Sequence, residues 1–142
     1  MQTGIMMFLI GAIGALIIIR VGSHLRKSAL ISGGAGAGIN EIDAGEAATL
    51  ISQKGAVVFD VRTSAEYAAG RIPRANHVPL RQLPQRMESL NKYKSRPVLV
   101  SCRTGRRSAS ACAYLTENGF EEVYNLKGGL RAWTHARQKV EN

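Results

Sequence analysis

Two short apolar runs constrain this chain more than any other feature: "AVVFDV" at residues 56–61 and "PVLV" at residues 97–100. Each is too short for a buried helix, rich in β-branched residues, and followed by polar residues that signal a turn. Unbroken apolarity, as opposed to alternation, means burial on both faces, the mark of a central parallel strand. A parallel strand needs a crossover to its neighbour, so helices are expected between the strands. The flanking sequence supplies them. "INEI" at residues 39–42 is a first strand. Asp43 is placed to cap a helix, with Glu46 three residues on as in a capping box, and Ala47, Leu50 and Ile51 face inward before Gly55 stops it. Ser64 is the expected cap of a short helix, "AEYAA", which Gly70 ends. "ANHV" at 75–78 is a third strand between Pro73 and Pro79, and Leu80–Leu90 a helix interrupted near Pro84. A helix from Arg106 or Arg107 to Asn118, a fifth strand "VYNL" and a last helix over Leu130–Gln138 complete the series. The spacing predicts an α/β domain over residues 39–142, a five-stranded parallel sheet flanked by helices.

The first part of the chain follows different rules. No charged side chain precedes Arg20, and Ile5–Ile19 is apolar or small throughout. Nineteen residues of helix span roughly 28 Å, close to the ~30 Å of a bilayer's hydrocarbon core. The charges, Arg20, Arg26 and Lys27, come after the apolar stretch. Residues 1–22 are therefore expected to form one transmembrane helix, a single-pass anchor in what would be a bacterial inner membrane. Its N-terminus would lie outside and the α/β domain in the cytoplasm. The other reading is a cleaved signal with "AGA" at Ala35–Ala37 as its cleavage site, but a signal peptide carries its basic residues before the apolar run. Gly11 and Ala15, with Gly4 one heptad earlier, offer a small-residue face for a weak helix homodimer. Residues 23–38 form a basic flank and a glycine-rich linker. "SGGAGAG" lacks the preceding strand of a dinucleotide-binding loop and reads as a tether of roughly 15 Å.

Lys and Arg outnumber Asp and Glu by 19 to 10, a net charge of +9 that suits anionic partners. Nucleic acid is not among those expected, because the basic residues are dispersed and no nucleic-acid motif is present. The two cysteines, Cys102 and Cys112, are too few for a disulfide scaffold and too few for a zinc site. If they flank one helix, their backbones are roughly 15 Å apart, beyond the ~7 Å limit for a bridge. Neither a metal nor a cofactor is expected.

In open α/β sheets ligands bind at the carboxyl ends of the strands. Asp60, His77 and Cys102 fall there. Cys102 stands out. It lies between a strand end and a helix start, and Arg103, Thr104, Gly105, Arg106 and Arg107 are enough to curl around its sulfur. Backbone N–H groups of such a loop make an anion nest, and the helix end and the arginines are both expected to lower the thiol pKa. Cys112, among Ala, Tyr and Leu inside the helix, reads as a packed, inert thiol. No histidine is placed as a base, so a cysteine-protease arrangement is not supported.

These residues resemble the single-domain rhodanese (thiosulfate sulfurtransferase) family. The matching pieces are "VVFDVRTSAEYAAGRIPRANHVP" (57–79), "CRTGRRSA" (102–109) and "VYNLKGGLRAW" (123–133), in the family's order and spacing. The resemblance implies that Cys102 attacks a sulfane sulfur, becomes a persulfide cradled by the backbone of residues 103–107, and passes the outer sulfur to an acceptor. It implies a small anionic donor, thiosulfate or a persulfide, met by Arg103, Arg106 and Arg107, and a thiol or cyanide acceptor. Asp60 and Arg62 match the family's D-x-R and would support the loop and rim, as would Glu66; Gly128, Gly129 and Trp133 match its structural "GG…W" segment. The fold-related dual-specificity phosphatases use His-Cys-x5-Arg, a loop one residue longer. Here Ser101 precedes the cysteine and Ser108 stands six positions after it, which fits a loop around one sulfur atom. Arg71 and Arg74 depart from the family's usual histidine and glycine and bear on rim preference. The expected function is that of a membrane-anchored sulfurtransferase. The competing expectation is a non-catalytic rhodanese-like module that binds a partner at the membrane; degenerate members usually lack the cysteine, which this chain keeps.

Overall fold

The computed structural model describes residues 38–142. The anchor expected over 1–22, its dimer face and nearly all of the linker lie outside the described residues. Among the described residues no helix is long and apolar enough to cross a membrane.

The described chain runs β1 (Asn40–Ile42), α1 (Ala44–Lys54), β2 (Val57–Asp60), α2 (Ser64–Ala68), β3 (Asn76–His77), α3 (Leu83–Leu90), β4 (Val98–Ser101), α4 (Arg106–Glu117), β5 (Val123–Leu126) and α5 (Gly129–His135). All strand pairs are parallel, in the order β1-β5-β4-β2-β3. The two apolar runs become neighbours: Val57 pairs with Val98 and Asp60 with Ser101. Both strands are buried on both faces, as their continuous apolarity requires. Val57, Phe59, Val98, Val100 and Cys102 pack with α3 and α4, including Leu83, Leu90, Ala111 and Leu115. Val58 and Leu99 point the other way, to Ala47 of α1 and Trp133 of α5. Phe59 anchors the first layer with edge-on contacts to Tyr93 and Phe120.

Three sequence expectations shift. The cap of α2 is Thr63, not Ser64: the Thr63 hydroxyl accepts from the Glu66 N–H while Glu66 accepts from the Thr63 N–H, and Ser64 is already the first helical residue. The segment after Pro79 is a 3₁₀ turn over Leu80–Gln82 that feeds α3, with Pro84 in the first turn, where its missing N–H costs nothing. The last helix ends at His135, three residues early. Arg137 takes a left-handed backbone (φ 55°), and the chain turns back. The tail is held by the Trp133 indole N–H on the Lys139 carbonyl and by paired backbone bonds between Glu141 and Arg71. The capping box at Asp43 and Glu46 and the helix α4 form as the sequence predicts.

Candidate active site

The carboxyl ends of β2, β3 and β4 bring Asp60, His77 and Cys102 to one sheet edge. Asp60 and Arg62, both buried, form a two-pronged ion pair: Arg62 Nε donates at 2.9 Å and its terminal nitrogen at 2.7 Å. The same guanidinium donates to the Gly70 carbonyl at 2.7 Å, which ties the end of β2 to the end of α2. With its charges matched and Nε and one terminal nitrogen of Arg62 both partnered, the pair offsets much of the cost of burying two charges. His77 Nε2 donates to the Arg62 carbonyl at 2.9 Å and its ring stacks on Tyr67. Asp60, Arg62 and His77 are thus engaged with one another and with the backbone around them.

Cys102 is buried at the foot of α4. That helix begins after Gly105 and has no side-chain cap, so its first N–H groups need a partner. The sulfur supplies it. Gly105 N–H donates to Sγ at 3.1 Å and the Ser108 hydroxyl at 3.3 Å. Burial pushes the Cys102 thiol up, but hydrogen bonds from the Ser108 hydroxyl and from the backbone N–H groups of Ser108, Thr104 and Gly105 outweigh it, and the thiol lies below its ordinary value. Burial, with the charges of Cys102 and Glu41 adding to it, drives Cys112 the other way, to about 12. Activated and inert thiols therefore sit ten positions apart on one helix and its approach, as the sequence predicts.

The loop's N–H groups turn inward because its carbonyls are taken from outside. The Cys102 carbonyl accepts from Leu130 N–H at 2.8 Å and the Arg103 carbonyl from Arg131 N–H at 3.2 Å, both in the first turn of α5. This approach needs Gly129: a Cβ there would lie 2.4 Å from the Cys102 carbonyl oxygen, and its φ of 59° disfavours other residues. Gly105, at φ 96°, makes the turn itself, and its carbonyl accepts from Asn125 Nδ2 at 3.1 Å. Asn125 is fully buried on β5 and also donates to Glu41. Sequence reasoning missed it; its signal was one amide inside the otherwise apolar "VYNL".

The arginines divide. Arg107, expected to meet the donor, donates two hydrogen bonds to Glu66 at 2.8 and 2.7 Å, joining α4 to α2. Arg103 and Arg106 are exposed, and among the described residues their side chains make no ion pair. The sulfur is thus activated chiefly by Ser108 and backbone N–H groups, where the sequence pointed equally to the arginines. Arg107 feels Cys102 only as a lesser influence, after Glu66, on its own raised pKa.

The sequence profile of the rhodanese-like domain matches residues 43–136, more than half of the chain. The chain belongs to the rhodanese-like domain family. It is 42% identical over 96 residues to a sulfurtransferase of Allochromatium vinosum, covering 67% of this chain and 88% of that one. It is 40% identical over 88 residues to the thiosulfate sulfurtransferase GlpE of Pseudomonas fluorescens, 62% and 79% of the two chains. The crystal structure of a rhodanese-related protein from Thermoplasma volcanium superposes with a TM-score of 0.65 at 27% identity, covering 72% of this chain and 97% of that one. The family and these relatives support a sulfurtransferase-like role, and the rhodanese-like fold explains why the thiol loop sits at the carboxyl edge of β4.

The Glu66–Arg107 clamp carries a pH signature. The Arg107 hydrogen bonds hold the Glu66 carboxyl at about 2, with Thr63 adding and partial burial opposing. A carboxylate lowered on folding contributes stability that is full above its unfolded value of 4.5 and is lost as pH falls to about 2. Glu66→Gln should lower the urea midpoint at neutral pH, and the gap to the parent protein should close between those two pH values. A gap independent of pH contradicts the clamp.

Proposed function

We propose that this protein is a membrane-anchored sulfurtransferase that moves a sulfane sulfur from a small anionic donor such as thiosulfate, through a persulfide on Cys102, to a thiophilic acceptor. One observation carries the reading: a buried thiol of lowered pKa whose sulfur accepts hydrogen bonds from the Gly105 N–H and the Ser108 hydroxyl, with the Thr104 and Ser108 backbone N–H groups lowering it further. The Cys102 thiolate attacks the outer sulfur of thiosulfate. The S–S bond of the donor breaks, its electron pair leaves with sulfite, and the new persulfide carries the negative charge that the N–H groups stabilise. No proton need be moved, so the absence of a neighbouring base is no obstacle. Arg103 and Arg106 stand exposed at the mouth to receive the dianion. Ser108 serves the sulfur directly, and Asp60, Arg62, Glu66 and Arg107 hold the walls.

The reading is tested by intact mass of the full chain after incubation with thiosulfate. The parent protein and Cys112→Ala should each gain one sulfur atom, and Cys102→Ala none. An unchanged parent mass with several sulfane donors contradicts the reading and favours a partner-binding module. The membrane half rests on the sequence: the uncharged stretch before Arg20 and the basic residues after it. A topology reporter fused at Asn142 should report a cytoplasmic C-terminus; an external one contradicts the proposed orientation.

A further inference from the structure

We propose that a cleft at the amino ends of β2 and β3, on the opposite end of the sheet from Cys102, binds a phosphate ester that carries a small hydroxylated group. The cleft measures about 280 Å³, and Gly55, Val57, Arg74, Asn76, Tyr93 and Arg96 are among its lining residues. All strand pairs are parallel, so the residues that precede each strand gather at one end and the thiol loop opens at the other. Gly55 precedes β2, Arg74 precedes β3 and Arg96 precedes β4. Arg74, expected at the rim of the thiol site, therefore stands at the far end of the sheet. The four residues of β2 put roughly 10 Å between the cleft and the carboxyl edge.

Charge and backbone together select the occupant. Among the described residues, the Arg74 side chain has neither an ion pair nor a hydrogen bond, and that of Arg96 donates only to the Gly55 carbonyl, at 2.8 Å. Among the described residues no carboxylate lines the cleft. Glu141 accepts from the Arg74 N–H at 3.0 Å, and its carboxylate pairs with Arg71. Arg74 also holds a left-handed backbone (φ 60°), a conformation that favours glycine. Strain of that kind points to a use for the guanidinium itself. Lys92 and Arg96 lie 5.1 and 5.9 Å from the centroid of the Tyr93 ring, which sets a third cation beside the cleft. Two forked guanidinium groups without a carboxylate between them match the oxygens of a phosphate. Asn76 Nδ2 donates to the Val58 carbonyl at 3.3 Å, which leaves Oδ1 to accept from a hydroxyl. The volume exceeds a bare phosphate and nears the lower end of small-molecule sites, about 300 Å³. The described chain enters at this same end, at Gly38 ahead of β1, so a phospholipid headgroup is one source of the ester and a soluble metabolite the other. Only the lipid source rests on the anchor proposed for residues 1–22.

Glycerol 1-phosphate is the probe, titrated into the full chain in a phosphate-free maltoside detergent and followed by amide NMR. It should shift Gly55, Asn76 and Tyr93. Sulfate, which carries the charge without the hydroxyls, should bind about tenfold more weakly, and so should glycerol 1-phosphate to Arg74→Gly and to Arg96→Gln. Arg74→Gly should keep or raise Tm, since glycine suits a φ of 60°, and its lost affinity is then not a lost fold. If that variant does unfold, Arg96→Gln decides alone. No binding, shifts confined to the thiol loop, equal affinity for sulfate, or full affinity in the variants overturns the inference. Detergent doped with phosphatidylglycerol separates the two sources: displacement of glycerol 1-phosphate assigns the cleft to a headgroup, and undiminished binding assigns it to a soluble ester. No step involves sulfur, so a Cys102 that takes up none sinks the transfer reading and leaves this test intact.

Discussion

The sulfur of Cys102 acts as the cap of helix α4, and the rest of the site follows from that contact. A helix start without a side-chain cap leaves N–H groups that must find an acceptor, and a thiolate is a better acceptor than a thiol. Capping and activation are therefore one interaction. It works only if the loop presents its N–H groups inward, and that requires an outside partner for its carbonyls. The first turn of α5 is the partner. Two helix N-termini thus share one loop: α4 takes the sulfur and α5 takes the carbonyls. Gly129 is the point where the two backbones come too close for any side chain.

Charge is sorted in the same economical way. The two ion pairs, Asp60 with Arg62 and Glu66 with Arg107, fasten the end of β2 and the start of α4 to α2. They leave Arg103, Arg106 and Arg131 for solvent and for anions. The net positive charge of the chain is then less a property of the sulfur's immediate surroundings than of the rim around it, where it governs which anions approach.

Much of this is legible in the sequence because it rests on local rules. The unbroken apolar runs fixed β2 and β4 as central strands, and Gly105 followed by a helical pattern marked the thiol loop. What was not legible depends on contacts between segments far apart in the chain. Arg107 looked like a ligand for the donor because its partner Glu66 is 41 residues away. Asn125 looked like an ordinary strand residue because the carbonyl it holds lies on another element. The early end of α5 reflects a tail that pairs with Arg71, again a distant contact. Thr63 and Ser64 are both competent caps, and only the reciprocal bond from Glu66 decides between them.

The central claim, that the helix start and Ser108 activate the thiol more than the arginines do, is tested most directly by titrating the ultraviolet absorbance of the thiolate. Subtracting the same titration of Cys102→Ala removes the tyrosine signal, and Cys112, held protonated to about 12, adds nothing below that. The account predicts an apparent pKa below that of an ordinary thiol, a clear rise in Ser108→Ala, and little movement in the double variant Arg103→Gln/Arg106→Gln. A large rise in the double variant with none in Ser108→Ala would contradict it.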